Sequence, residues 1–326
     1  MYEYSSGLKM CKIYYKYRSA NWQTIENIFE DKVYFASPLD FNDPFESSPL
    51  IENDVSLEDL EIAYRELLRR RLQLEIKSAA NMVNRFMRGK DLVIEHSVQK
   101  KIERIIENIN YQATEPGFLF DEAKTHDLKR RIFEELVLFY NKGIFCVSEV
   151  WNSILMWSHY GDSHKGVCLG YQNSLDKELN IRRISYNRSR SLKISSILGM
   201  LRDEEEERNN VETALFFRKS SSWKYEREWR CLSRVGLQES MFNICEIVFG
   251  EKCSFTYIYT IIKGLEPFED RFKQKIKFYR TTRSPKNYKM IRHQIDTDEI
   301  FHHYPISNSY IRSQFNDMNN LFDKND

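Results

Sequence analysis

Glycine and proline are scarce, at 11 and 7 of 326 residues. That excludes collagen-like and low-complexity chains. It also removes the glycine-rich loops that cradle phosphates: Gly-x-x-x-x-Gly-Lys-Ser and Gly-x-Gly-x-x-Gly are both missing. Gly-x-Ser-x-Gly and His-Glu-x-x-His are missing too, so hydrolase-elbow and zincin readings lose support. No run of about 18 apolar residues occurs, and no membrane-spanning helix is expected. The opening Met-Tyr-Glu-Tyr-Ser-Ser-Gly lacks the apolar core of a secretory signal, so the expected location is cytoplasmic. The six cysteines, Cys11, Cys146, Cys168, Cys231, Cys245 and Cys253, form no Cys-x-x-Cys pair. They read as reduced, buried thiols rather than a disulfide or zinc framework. An excess of one charge is also lacking: 49 basic residues face 48 acidic ones, a net of +1. Any nucleic-acid contact must therefore come from a local patch.

What is present is aromatic and apolar: 21 Phe, 19 Tyr and 41% hydrophobic residues, enough for a large core. The expected fold is α+β, one domain over residues 1–326 with a helical insertion over residues 54–141. The sheet is expected to be mixed, mostly antiparallel and built from the two ends of the chain. Cys11 to Tyr17 is an aromatic strand pattern, Trp22 to Phe29 has helical spacing, and Val33 to Ala36 is a short strand stopped by Pro38. Ser56-Leu57-Glu58-Asp59 has the form of a capping box with Asp in place of Glu. Three helical stretches follow, marked by Leu57 to Leu68, Ile102 to Ile109 and Ile132 to Tyr140. Strands return at Gly143 to Ser148, Gly166 to Tyr171, Tyr225 to Leu232 and Lys275 to Tyr279. The tail from Ile306 is expected to fray.

Four clusters carry the chemistry. The first is Trp223-Lys224-Tyr225-Glu226-Arg227-Glu228-Trp229-Arg230. On a continuous strand Glu226, Glu228 and Arg230 share a face. Paired carboxylates of this kind suit a cation, sugar hydroxyls or a developing positive charge; a ladder of structural ion pairs accounts for them equally well. The second runs from Leu155 to Gly166 and places Trp157, His159, Tyr160 and His164 at a helix end and in the following loop. His159 can exchange a proton near neutral pH, and the aromatics can stack on a planar ring or simply fill a core. The third is Phe41-Asn42-Asp43-Pro44-Phe45-Glu46. Turn chemistry explains Asn42 and Asp43 but not Glu46. The fourth, Tyr15 to Ser19, ends the first strand with Arg18, a bidentate donor for phosphate or a plain surface cation.

Taken in order, Tyr-Lys-Tyr-Arg, Phe-Asn-Asp-Pro-Phe-Glu, Met-Trp-Ser-His-Tyr-Gly with His-Lys-Gly-Val-Cys-Leu-Gly, and Trp-Lys-Tyr-Glu-Arg-Glu-Trp-Arg resemble a widespread bacterial family known as a domain of unknown function. The opening strand, helix and short strand also look distantly like the start of ADP-ribosyltransferase domains, toxins among them. That second resemblance implies an ADP-ribosyltransferase-like core with NAD as substrate. Its catalytic set would be Arg18 on the first strand, Ser37 or Ser148 on a second, and Glu226 with Glu228 on a later one. Arg18 would hold the pyrophosphate and a carboxylate the ribose hydroxyl. Tyr17 or Trp157 would stack on nicotinamide. Asn42, Asp43, Glu46, Ser148, His159, Tyr160, His164 and Arg230 are the remaining candidates around NAD. No resident metal is implied. The expected role is an intracellular bacterial toxin or anti-phage defence effector, acting on a nucleic acid or protein, with a neutralising or trigger protein as a further partner. Two alternatives stay open. One is a Mg²⁺-dependent nuclease using Asp43, Glu46, Glu226 and Glu228. The other is a non-catalytic sensor in which Trp157, His159 and Tyr160 cradle a ligand.

Overall fold

The structure, a computed structural model, describes residues 12–83, 90–114, 119–173, 181–187, 189–267 and 275–298. Cys11 and the tail from Ile306 lie outside the described residues. The chain divides into two compact units. The first comprises Met1–Lys32, Val147–Leu179 and Glu239–Asp326, and the second Val33–Cys146 and Asn180–Gln238.

The first unit is built on a mixed, mostly antiparallel sheet. β1 (Ile13–Arg18) pairs antiparallel with β5 (Val167–Asn173), which pairs antiparallel with β12 (Phe242–Phe249). β12 runs parallel to β13 (Lys277–Arg283), and β13 closes a hairpin with β14 (Met290–Gln294). Tyr15 also faces Ser148 in an antiparallel register. Every β12 residue except Asn243 is buried, as a strand covered on both faces should be. Helix α1 (Trp22–Phe29) starts where the Asn21 side chain accepts from the Thr24 amide at 2.9 Å. It lies against α8 (Phe255–Leu265), and Ile25, Ile28, Ile258, Ile261 and Ile262 are buried. Short α5 (Ile154–His159) is capped by Ser153. Gly166 begins the return into β5. A Cβ there would lie 2.1 Å from the Arg18 carbonyl oxygen, so only glycine fits the close strand approach.

The second unit is dominated by helices. α2 (Leu57–Val83), α3 (Lys90–Gln112) and α4 (Phe120–Tyr140) fill the stretch expected to be helical. The Ser56 hydroxyl accepts from the Asp59 amide at 3.0 Å and donates to its carboxylate at 2.8 Å, which realises the capping box. Leu60, Leu67, Leu68, Ile102, Leu128 and Ile132 form one core with α6 (Ile194–Leu201) and α7 (Glu205–Phe216). Asp203 to Glu206 is exposed, as its charge run implies. Around this core lie strands in short sets. β4 (Gly143–Ser148), β10 (Glu228–Ser233) and β6 (Ile181–Arg183) are neighbours in that order. β2 (Lys32–Phe35) pairs with β11 (Gly236–Glu239). β3 (Leu50–Glu52) runs parallel to β8 (Ser191–Lys193), and β7 (Ser185–Asn187) to β9 (Arg218–Ser220). Cys168, Cys231, Cys245 and Cys253 are buried free thiols and Cys146 is half-buried.

The Gly166 contact sets a test. Gly166→Ala forces β1 and β5 apart and should cost at least about 1–3 kcal/mol in urea unfolding, the range for overpacked sites. Unchanged stability would contradict the close approach.

Candidate functional site

In the second unit the Phe41–Glu46 turn does more than reverse the chain. Asp43 Oδ1 accepts from the Phe45 amide at 2.9 Å, and the Glu46 amide donates to the Asp43 carbonyl at 3.0 Å. Asp43 Oδ2 accepts from Trp223 Nε1 at 2.8 Å. These bonds turn Asn42 out to solvent and Glu46 into the interior. Across the unit, strand alternation on β9 buries Lys219 between half-buried Arg218 and exposed Ser220.

The expected continuous strand over Tyr225 to Leu232 does not form. Ser221–Glu226 is a short 3₁₀ helix, and Arg227 closes it with φ 47°, a left-handed residue whose amide donates to the Lys224 carbonyl. β10 starts only at Glu228. Glu228 and Arg230 then share a face as alternation requires, while Glu226 reaches the same point from the 3₁₀ turn.

The result is a cluster of five buried charges. Lys219 Nζ lies 2.6 Å from Glu226, 3.0 Å from Glu228 and 3.3 Å from Glu46. An ammonium has three protons, and here three carboxylates face it. Arg230 is 0% exposed. Its Nε donates to Glu228 at 2.7 Å, one Nη donates to the Phe216 carbonyl at 2.8 Å, and the other donates to Glu46. Trp223 covers Lys219 with its ring centroid at 5.2 Å, and Phe41 faces Arg230 at 5.4 Å. The Glu228 amide donates to the Tyr186 hydroxyl at 2.8 Å.

Burial alone would favour a neutral Lys219, but Glu228, Glu46 and Glu226 hold its pKa well above the ordinary value. Burial alone would likewise favour a protonated Glu228, yet Arg230 and Lys219 hold it well below the usual carboxylate range. Among the described residues, three carboxylates and two cations meet at this point.

Sequence reasoning found Glu46, Glu226, Glu228 and Arg230 but missed Lys219. A signal was present: Arg230 alone cannot offset three buried carboxylates, and Lys219 is the next cation upstream of the cluster with an apolar run before it, Leu215-Phe216-Phe217. The nuclease set does not assemble in the same way. Asp43 is turned to Trp223, and the point where the other three carboxylates meet is filled by an ammonium. Among the described residues no group of three or more His, Cys, Asp or Glu side chains is arranged to hold a metal ion.

The remaining candidates fall elsewhere. Ser37 is in the second unit, where its hydroxyl accepts from the Leu39 amide and caps a 3₁₀ turn, Pro38–Asp40. Tyr17, Arg18, Ser148, Trp157, His159, Tyr160 and His164 belong to the first. Trp157 is 0% exposed, with Nε1 on the Trp151 carbonyl at 2.8 Å and an edge-to-face contact to Tyr17 at 5.2 Å. The Tyr17 hydroxyl donates to the Val150 carbonyl. Both rings pack as core. Ser148 Oγ accepts from the Val150 amide. Arg18 is half-buried at the end of β1, and His159 and Tyr160 sit at the end of α5, the first exposed and the second half-buried.

Residues 156–231 match a family described as "Protein of unknown function (DUF2971)". The match spans the Met156 to Tyr160 motif, Lys219 and the whole Trp223 to Arg230 segment, and it stops one residue past Arg230. It does not reach Arg18, Ser37 or Glu46. No curated protein and no solved structure shows significant similarity to the chain. The α+β architecture therefore rests on the elements themselves, and an ADP-ribosyltransferase-like core has no structural neighbour behind it.

Two outcomes follow from the cluster. Replacing Arg230 with Leu removes one of two cations and should cost about 3–5 kcal/mol in urea unfolding, as uncompensated buried charge does. A loss under about 1 kcal/mol would contradict the network. The pH dependence has two limbs. Glu228 is depressed, so its contribution is complete above the ordinary value of 4.5 and is lost as pH falls. Lys219 is raised, so its contribution is complete below 10.5 and is lost as pH rises. Unfolding free energy should be level between about pH 5 and 10 and fall outside that window.

Proposed function

We propose that this chain is an NAD-dependent ADP-ribosyltransferase, acting as an intracellular bacterial toxin or defence effector, with the carboxylate cluster of the second unit as its catalytic centre. One observation carries the reading: Glu226 and Glu228 converge with Glu46 on one buried point. As the bond between ribose C1′ and nicotinamide breaks, nicotinamide leaves with the bonding pair and positive charge develops on the ribose. Pre-oriented carboxylates stabilise that charge without reorganising. The acceptor nucleophile then bonds C1′ and gives up its proton, for which Glu226 is the base.

The roles divide by environment. Glu228, doubly held by Arg230 and Lys219, stays anionic and fixes the two cations. Glu226 is 3% exposed, on the 3₁₀ turn between half-buried Tyr225 and exposed Arg227; it is the carboxylate assigned to the ribose hydroxyl, and the reading requires that turn to open. The first-unit residues Arg18 and Tyr17 enter this reading only through the resemblance. The ammonium among the carboxylates favours this chemistry over the nuclease alternative, because a divalent ion would first have to displace Lys219.

The test uses NAD labelled on the adenylate, incubated with the purified chain and bacterial lysate and separated into protein and nucleic-acid fractions. Glu226→Gln should lower label transfer and nicotinamide release by at least about a hundredfold. Its melting temperature, read in parallel, separates lost chemistry from a lost partner of Lys219. The single variant is the cleaner probe, since Glu228→Gln also unbalances Arg230. Transfer at the wild-type rate in Glu226→Gln would sink the assignment, and so would a wild-type chain that releases no nicotinamide.

A further inference from the structure

The first unit contains a basic pocket that none of the chemistry above uses. It has a volume of about 650 Å³ and lies between the β13–β14 hairpin loop and the loop after α5. Among the described residues Lys252, Arg283, Lys286 and Lys289 line it, against one carboxylate, Glu251. Glu251 is itself bonded to Arg283 Nε at 2.8 Å. Four cations and one anion leave a local excess of three positive charges, in a chain whose total is +1. Such a concentration in a concavity attracts phosphate.

The rest of the lining is built for more than charge. Tyr288 stands at the hairpin tip, 98% exposed, and contributes nothing to a core. The loop beneath it is ordered by backbone bonds from Ser284 to the Lys289 carbonyl and from Lys289 to the Asn287 carbonyl, both 2.9 Å. On the opposite wall stands His164, the last of three consecutive non-glycine residues at positive φ, Asp162, Ser163 and His164, at 49°, 51° and 70°. Left-handed backbone is unfavourable for such residues, and it persists where surrounding contacts enforce it. Here the enforcing contacts are visible. The His164 carbonyl accepts from the Lys252 amide at 2.9 Å, its amide donates to the Trp157 carbonyl, and its ring lies stacked 6.2 Å from Trp157. His164 Nδ1 is buried without a hydrogen-bond partner among the described residues. Burial, together with Lys252 and Arg283, lowers the His164 pKa, against an opposing pull from Glu251. The imidazole is thus kept neutral at pH 7 and can accept or donate one bond.

We propose that this pocket binds single-stranded nucleic acid, its phosphates on Lys252, Arg283, Lys286 and Lys289 and one base stacked on Tyr288. A lone exposed ring beside clustered cations suits an unstacked base. A duplex offers no free base face to it. The inference is independent of the transferase reading, since every residue in it belongs to the first unit and none to the carboxylate cluster.

Fluorescence anisotropy of the full chain with end-labelled, mixed-sequence RNA and DNA single strands, and with the matching duplexes, tests it. Saturable binding to a single strand should exceed duplex binding and weaken between about 50 and 200 mM salt. Tyr288→Ala should weaken it roughly five- to hundredfold. Lys286→Ala with Lys289→Ala should lower the slope against log salt by about 1.4, near 0.7 for each lost phosphate contact. All three side chains are exposed, so melting temperatures should not move. The proposal fails if the wild type binds neither strand, prefers duplex, or binds as tightly after Tyr288→Ala and the lysine pair are introduced.

Discussion

An ammonium enclosed by three carboxylates is the constraint around which the second unit is arranged. Lys219 comes from β9, Glu46 from a turn more than 170 residues earlier, Glu226 from a 3₁₀ helix and Glu228 from β10. None of these charges is tolerable alone in a dry interior, where an unpaired ion costs several kcal/mol. Each is therefore placed by the others. The Asp43 turn, the left-handed Arg227 and the Trp223 ring over Lys219 are the local devices that deliver the side chains to one point. Arg230 extends the network to the Phe216 carbonyl, which ties the end of α7 into it.

Clusters of this kind are not needed for stability as such, because well-packed apolar residues of similar volume often serve as well or better. In some proteins such groups are retained for the specificity of their geometry. The transferase reading gives the converging carboxylates a task. The basic pocket of the first unit has the complementary character: positive, open and bordered by an exposed ring. Each unit thus carries its own concentration of charge, which an almost neutral total conceals.

Much of this was legible in the sequence where one principle acted alone. Helical periodicity located α2 to α4, and the Ser56 cap appeared with its Asp59 partner. Alternation placed Glu228 and Arg230 on one face. Glu46 stood out because turn chemistry did not need it. The failures came where local pattern met tertiary demand. The β-prone run from Tyr225 breaks at Arg227, since Glu226 must reach Lys219 from a different direction than a flat strand allows. Trp157 and Tyr17 carry aromatic rings that suit ligand stacking or core equally, and only burial distinguishes the two. The basic pocket was invisible because its cations sit on segments more than 30 residues apart, and because its key ring, Tyr288, lies in a loop without a motif.

The central claim is that Lys219 is a permanently charged, water-excluded hub. NMR of the side-chain ¹⁵N resonances of lysine tests it directly. The account predicts one ammonium signal in slow exchange at neutral pH, missing in Lys219→Met and still protonated above pH 10.5, where ordinary lysines deprotonate. If every lysine exchanges fast and titrates at its ordinary value, the cluster is open to solvent and the account is contradicted.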